Sequence, residues 1–105
     1  MNKVILSGHI VVAESELIAV RAALPIHIKA TRAEKGCIVF NVVEHMMEIG
    51  RFDVYEEFET SDAFRFHQNR VQKSEWGVVS KNVVRHYRIE GFDESKALDD
   101  DEPSA

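Results

Sequence analysis

Apolar and polar residues alternate along four stretches of the chain, which is the pattern of β-strands. These stretches cover about residues 3–13, 36–43, 52–58 and 81–89. In the third stretch the alternation puts Phe52, Val54, Glu56 and Phe58 on one face. Because three of these four side chains are large and apolar, we expect that face to be buried, with Glu56 as its one polar member.

Two other stretches repeat apolar residues at the spacing of an α-helix. The first runs from Ser15, which we predict to cap the helix, to about Glu34. Pro25 lies in its middle and predicts a kink or a break, because proline removes a backbone donor. The second helix begins after the good capping residues 60–62, and its spacing puts His67 on the inner face.

The predicted order is strand, long helix, strand, strand, helix, strand, which is the order of a ferredoxin-like α+β fold. It implies a βαββαβ chain with one four-stranded antiparallel sheet and two helices on one face. Several strands have apolar residues on both faces; in the second, Ile38, Phe40 and Val42 share one of them. We therefore expect the open face to pair with the sheet of a second copy, as a homodimer.

Composition narrows the class of protein. The 105 residues suit one domain, which we place at residues 1–92, followed by an acidic and disordered tail at residues 93–105. The net charge of −5 argues against nucleic acid as a partner, and no apolar run is long enough to cross a membrane. The single cysteine, Cys37, excludes a disulfide within one chain and favours a cytoplasmic location.

The spacing of Glu56 and His67 predicts that their side chains meet. Glu56 lies about 13 Å along a strand before Thr60, and His67 lies roughly 10 Å along a helix that doubles back over the sheet. An acid and an imidazole that face one apolar space can hold or move a proton. A salt bridge that only stabilises the fold accounts for the same pattern, so both interpretations stay open.

The sequence predicts neither a metal site nor a catalytic cysteine. The five histidines are spread over separate elements without paired ligand spacing, which predicts no metal site; they are His9, His27, His45, His67 and His86. Cys37 lies on a predicted buried strand, where a small thiol is ordinarily part of the core. We expect no cofactor.

Three features resemble the antibiotic biosynthesis monooxygenase family, and together they cover about residues 3–90. The first is Ala33-Glu34-Lys35-Gly36-Cys37 followed by Phe40, which is similar to the turn that leads into the family's second strand. The second is Phe52-x-Val54-x-Glu56-x-Phe58, similar to its third strand, and the third is His67 at the family's helix position. The resemblance implies a dimeric α+β barrel.

The resemblance also implies a range of activities. Members of this family include cofactor-independent oxygenases that convert phenols or anthrones to quinones, haem-degrading enzymes and isomerases of small sugar-derived phosphates. Haem-degrading members typically use an asparagine on the first strand and a tryptophan on the second helix. Here the first strand offers Ser7 and His9, and the helix position holds His67, so haem degradation is not expected.

The leading hypothesis is a monooxygenase that oxidises a small phenolic or polycyclic aromatic substrate with dioxygen, without a cofactor. His67 is the expected base, with Glu56 tuning it. Loss of a proton makes such an aromatic electron-rich enough to react with dioxygen. The candidates for binding the substrate are Phe40, Asn41, Phe64, Trp76, Arg85 and His86, and also Tyr55, for which we favour an interface role.

Two alternatives remain. The first is an isomerase of a small hydroxy-carbonyl compound, in which His67 moves a proton and the cations Lys81, Arg85 and Arg88 attract an anionic substrate. The second is a ligand-binding or dimer-forming module that has no reaction, in which Glu56 and His67 only stabilise the fold.

Overall fold

Four strands form one antiparallel sheet in the order β2-β3-β1-β4, in a computed structural model that describes residues 3–93. The strands are β1 (Val4–Val11), β2 (Cys37–Glu44), β3 (Arg51–Phe58) and β4 (Val84–Glu90). The helices are α1 (Leu17–Arg32), α2 (Ser61–Gln72) and the short α3 (Glu75–Val79), and a 3-10 turn, Glu14–Glu16, precedes α1.

This arrangement confirms the predicted ferredoxin-like α+β fold with a four-stranded antiparallel sheet. The sequence did not predict α3, which begins at Ser74, whose side chain accepts a hydrogen bond from the backbone N–H of Gly77. Most of the predicted acidic tail, residues 94–105, lies outside the described residues. None of the helices within residues 3–93 is long and apolar enough to span a membrane.

The alternation of β3 is as the sequence predicted. Phe52, Val54, Glu56 and Phe58 are all buried beneath the helices. Their neighbours on β1 lie on the same face, since Leu6 pairs with Glu56 and Ile10 with Phe52. The core therefore lies between one face of the sheet and the helices, and Glu56 lies within it.

The face assignment of β2 was wrong at its first residues. Ile38 is about half exposed, whereas Phe40 and Val42, predicted to share its face, are buried. The cause is a β-bulge: Cys37 pairs with Phe58 and Val39 with Glu57, so Ile38 is an extra residue on its strand. An extra residue reverses the face on which the residues before it lie.

The predictions for the ends and the middle of α1 were also partly wrong. Ser15 lies inside the 3-10 turn and does not cap the helix, whose N-cap residue is Glu16. Pro25 does not break the helix, which is continuous from Leu17 to Arg32. The helix ends two residues before Glu34, so Glu34 belongs to the turn between α1 and β2.

Candidate functional site

The structure brings Glu56 and His67 together in the core, as their spacing predicted. Glu56 points inward from β3, and His67 lies on the buried side of α2. The start of α2 is fixed by Thr60, whose hydroxyl accepts a hydrogen bond from the backbone N–H of Ala63 at 3.0 Å. The distance from His67 Nε2 to Glu56 Oε1 is 3.9 Å, which is too long for a hydrogen bond.

The acid that is hydrogen-bonded to His67 is Glu34. His67 Nδ1 lies 3.1 Å from Glu34 Oε1 and 3.2 Å from Oε2. Arg70, one helical turn after His67, donates a hydrogen bond from Nε to Glu34 and another from Nη2 to Thr31 Oγ1, at 2.8 Å. The Glu34 side chain is 5% exposed and the His67 side chain is fully buried.

Sequence analysis assigned no role to Glu34 or Arg70, although two signals pointed to them. Glu34 is part of the turn motif that precedes Gly36 and Cys37. Arg70 follows His67 by three residues, which places the two side chains on the same face of α2. The sequence pattern did not predict that the turn carrying Glu34 contacts α2, because 33 residues separate Glu34 from His67.

The two carboxyl groups beside His67 are in opposite electrostatic states. Burial raises the pKa of Glu56 well above its ordinary value of 4.5, and the charge of Glu34 raises it further. Burial also acts to raise the pKa of Glu34, but hydrogen bonds from His67 and Arg70 outweigh it, so the net pKa of Glu34 is lowered. Glu34 is therefore the ionised acid of the pair and Glu56 the one that holds its proton to higher pH.

The hydrogen bonds assign the tautomer of His67. An ionised carboxylate only accepts hydrogen bonds, so the Nδ1 of His67 carries the hydrogen that is donated to Glu34. In the neutral ring the lone pair is then on Nε2, on the side of Glu56. Within residues 3–93, neither Nε2 nor either carboxyl oxygen of Glu56 has a hydrogen-bond partner. Buried polar atoms without partners are costly, and they are expected where a site binds something.

Aromatic rings surround the imidazole. The centroid of the His67 ring lies 4.9 Å from that of Phe58, 5.6 Å from that of Phe40 and 6.0 Å from that of His27. Trp76, on α3, stacks on His27 with ring centroids 4.7 Å apart and planes 3° from parallel. An apolar, aromatic surrounding of this kind suits a flat aromatic ligand.

Three of the predicted binding residues lie on this side of the sheet and close to the cluster. Phe40 contacts the His67 ring directly, Trp76 lies behind His27, and Phe64 packs on Phe58 at 5.5 Å. Arg85 also lies on the inner face, on β4, where its guanidinium donates to the backbone oxygen and the hydroxyl of Ser80.

The remaining predicted binding residues lie on the outer face of the sheet, away from His67. Asn41 is exposed and its side-chain oxygen accepts a hydrogen bond from Arg32. His86 stacks on His9 at a centroid distance of 4.7 Å. Tyr55, for which an interface role was predicted, is also on this face. The structure does not bring these side chains to the buried cluster.

Two further groups of side chains concern an anion site and a metal site. Arg85 and Arg88 lie on opposite faces of β4, so with Lys81 they do not form one cationic site. Within residues 3–93, no three side chains of histidine, cysteine, aspartate or glutamate are grouped so that they could hold a metal ion.

A surface groove of about 600 Å³ runs between the end of α1 and α2. Its lining includes Glu34, Arg70, Phe66 and the small residues Ala33 and Ala63. The groove reaches Glu34 from the solvent side, whereas His67 lies behind Glu34 and is not part of the lining. Glu34 therefore lies between the groove and the imidazole.

Comparison with known proteins supplies the family. Residues 4–77 match the family described as antibiotic biosynthesis monooxygenase, whereas no curated protein sequence matches the chain. A Bacteroides thetaiotaomicron VPI-5482 protein, named as a candidate monooxygenase of this type, is similar with a TM-score of 0.71 and 17% identity, over 84% of this chain and 85% of its own.

Two further solved structures are similar. One, from Nitrosomonas europaea, is also named as a candidate antibiotic biosynthesis monooxygenase and gives a TM-score of 0.65 at 15% identity, over 84% of this chain and 93% of its own. Protein SO0527 of Shewanella oneidensis gives 0.63 at 24% identity, over 84% and 86%. At such identities the structural matches show a shared fold only.

Proposed function

Because the chain belongs to the antibiotic biosynthesis monooxygenase family, we propose that it oxidises a small phenolic or polycyclic aromatic compound to a quinone. Dioxygen is the co-substrate, no cofactor takes part, and His67 is the base. The family membership supports a monooxygenase-like role in general, and the chemistry of the His67 cluster supports the finer proposal.

The observation that carries the proposal is the state of the His67 ring. Its Nδ1 is hydrogen-bonded to the Glu34 carboxylate, which leaves Nε2 as the nitrogen that can accept a proton. Nε2 has no hydrogen-bond partner within residues 3–93 and lies among aromatic rings. A base whose second nitrogen is held by a carboxylate is the arrangement expected of general-base catalysis.

The proposed reaction balances without a cofactor. Nε2 takes a proton from the substrate, and the resulting anion gives one electron to dioxygen. The substrate radical and superoxide then combine into a carbon–oxygen bond, and the peroxide formed takes the proton back from His67. Cleavage of the O–O bond leaves one oxygen atom on carbon as a carbonyl, and the other leaves as water with the two hydrogens that the substrate lost.

Glu56 supports the same chemistry as a neutral acid. Its raised pKa favours the protonated form of the carboxyl group, and that form can donate a hydrogen bond to the oxygen of the substrate anion. Beside the imidazole, the pKa of one acid is raised above its ordinary value and that of the other is lowered. Such a pair is typical of an acid–base site.

The complete burial of His67 and Glu56 favours a second candidate function. A substrate can reach Nε2 only if the surrounding rings move apart. If they do not, the Glu34–His67–Arg70 cluster only stabilises a module that binds ligands in the groove or pairs with a second copy. Binding without turnover distinguishes this function from the first.

The outer face of the sheet supports the proposed homodimer. Val11, Val43 and Val84 are all more than 40% exposed on that face. Apolar residues on an open sheet face favour pairing with a second sheet. Val43→Glu should then lower the mass measured in solution from that of a dimer to that of a monomer.

The single free cysteine, Cys37, is consistent with the cytoplasmic location that we propose.

Oxygen consumption tests the proposed function. The purified protein, without added metal or flavin, is mixed with a panel of anthrones, phenols and hydroquinones, and oxygen and quinone are measured together. We expect one quinone formed for each oxygen consumed with at least one compound. Binding of these compounds without oxygen consumption would instead support the non-catalytic function.

A further inference from the structure

We infer that Glu34 is the positioning residue of this site: its carboxylate fixes the tautomer and direction of the His67 ring and stabilises the imidazolium that forms when Nε2 takes a proton. The inference rests on the proposed function for its catalytic consequence. The orientation of the ring by Glu34 stands on the geometry alone.

The turn that carries Glu34 is locked against α2. A Cβ atom at Gly36 would lie only 2.3 Å from the Cβ of Ala63, so only glycine allows the turn to approach this closely. The backbone N–H of Glu59, two residues before α2, donates to the Gly36 carbonyl at 2.8 Å and ties the same turn to the segment that leads into the helix. Ala63 precedes His67 by four residues, one helical turn, so the contact at Gly36 places Glu34 level with the imidazole.

Arg70 keeps Glu34 charged. Its Nε donates to Glu34 while its Nη2 donates to the buried Thr31, so the guanidinium is held on two sides. Together with the hydrogen bond from His67, it lowers the pKa of Glu34 in spite of burial. A carboxylate that stays ionised beside Nδ1 favours the positive charge of a protonated ring, and its acceptor-only oxygens exclude the other neutral tautomer.

A comparison within the chain separates this role from simple stabilisation. Arg21 and Glu44 form a bidentate pair that joins α1 to β2, with side chains 48% and 30% exposed. That pair contacts no histidine among the hydrogen bonds and ion pairs of residues 3–93. Glu34 is almost fully buried, and its carboxylate accepts hydrogen bonds from both an arginine and an imidazole. Glu44→Gln is therefore the matched control for Glu34→Gln.

Two substitutions at Glu34 test the inference. In Glu34→Gln the amide oxygen can still accept the hydrogen of Nδ1, but the charge is lost. In Glu34→Ala both the acceptor and the charge are lost. We expect kcat to fall in Glu34→Gln with KM unchanged and further in Glu34→Ala, by at most the roughly 10²–10⁴-fold that the base itself contributes, and not at all in Glu44→Gln.

A spectroscopic measurement gives a second readout that needs no turnover. The ring nitrogens of His67, identified by their loss in His67→Gln, are followed by ¹⁵N NMR at a pH where the ring is neutral. We expect a protonated Nδ1 and an unprotonated Nε2 in the native protein and in Glu34→Gln. In Glu34→Ala we expect a mixture of tautomers and faster exchange of the Nδ1 hydrogen.

The possible results separate this inference from the proposed function. If the native protein consumes oxygen and Glu34→Gln is as active, the positioning role is wrong and the proposed function stands. If the native protein consumes no oxygen, the proposed function fails, and an unchanged tautomer in Glu34→Ala would overturn the positioning role as well. Should Glu34→Ala not fold, Arg70→Gln replaces it, because this change removes the hydrogen bonds of the guanidinium to Glu34 and Thr31 and leaves the Glu34–His67 contact. We expect it to keep the native tautomer with a reduced kcat, and an altered tautomer there would contradict the inference.

Discussion

Glu56 and Glu57 are adjacent residues of β3 with the same side chain and opposite environments. Glu56 points toward the helices and is fully buried, and its carboxyl oxygens have no hydrogen-bond partner within residues 3–93. Glu57 points to the outer face, where Tyr55 and Lys3 donate to its two oxygens. Burial raises the pKa of Glu56, whereas the hydrogen bonds of Tyr55 and Lys3 lower that of Glu57.

The same contrast applies to the histidines. His67 lies on the inner side, with the Glu34 carboxylate on Nδ1 and Glu56, whose pKa is raised, near Nε2. His9 and His86 stack on each other on the outer face. Residue type alone therefore does not identify a proton-transfer site; the face of the sheet and the available hydrogen-bond donors do.

The largest expected difference between the two faces is in activity. His67→Gln should lower kcat/KM for quinone formation by about 10²–10⁴-fold, because a general base typically contributes that much. His9→Gln, the matched change on the outer face, should leave kcat/KM unchanged. Steady-state oxygen consumption by both variants checks this, and equal losses in the two would remove the distinction between the faces.

The pH dependence of stability should differ in sign between the two glutamates. The folded-state pKa of Glu56 is raised, so its contribution to stability is present below the ordinary pKa of 4.5 and is lost as pH rises through the folded value. The free energy of unfolding of Glu56→Gln should therefore increase relative to that of the native protein as pH rises, by at most about 1.4 kcal/mol per pH unit. Urea unfolding from about pH 4 to about pH 8 measures the difference.

Glu57→Gln is the control for that series. Because the folded-state pKa of Glu57 is lowered, its contribution is present above the ordinary pKa and is lost as pH falls through the folded value. The variant should lose stability relative to the native protein at higher pH, the reverse of Glu56→Gln. A parallel trend in both variants would mean that burial does not separate the two residues.

The smallest expected effect is on the outer face. Tyr55→Phe removes the hydrogen bond that contributes most to the lowered pKa of Glu57, so that pKa should move back toward 4.5. The thermal midpoint should hardly change, because Glu57 keeps its hydrogen bond from Lys3. NMR titration of the Glu57 carboxyl carbon measures the shift, and a carboxyl that titrates as before would show that Tyr55 has no part in it.

Sequence reasoning predicted the parts of the molecule that depend on local pattern. The alternation of β3 and the inward position of His67 follow from periods of two and 3.6 residues, and the start of α2 follows from the capping residues 60–62. From these the fold and the approach of Glu56 to His67 could be predicted. Glu56 and His67 lie on consecutive elements joined only by residues 59–60, so a single short turn decides how the strand and the helix meet.

The rest depends on contacts that periodicity does not encode. The bulge at Ile38 reversed the face assignment at the start of β2, and no residue type within this strand predicts a bulge there. The Glu34–His67 contact depends on how closely a turn approaches a helix, which Gly36 and Ala63 decide together. For the same reason the predicted acid for His67 was Glu56 alone, and the hydrogen-bonded acid proved to be Glu34.

Formation of the substrate anion in the absence of oxygen tests directly whether His67 is the base. The native protein and His67→Gln are mixed anaerobically with the best anthrone or phenol of the panel, and the absorbance of the anion is recorded. We expect the anion to form in the native protein only, and to decay to quinone when oxygen is admitted. An anion that forms equally in His67→Gln would contradict the role of His67 as the base.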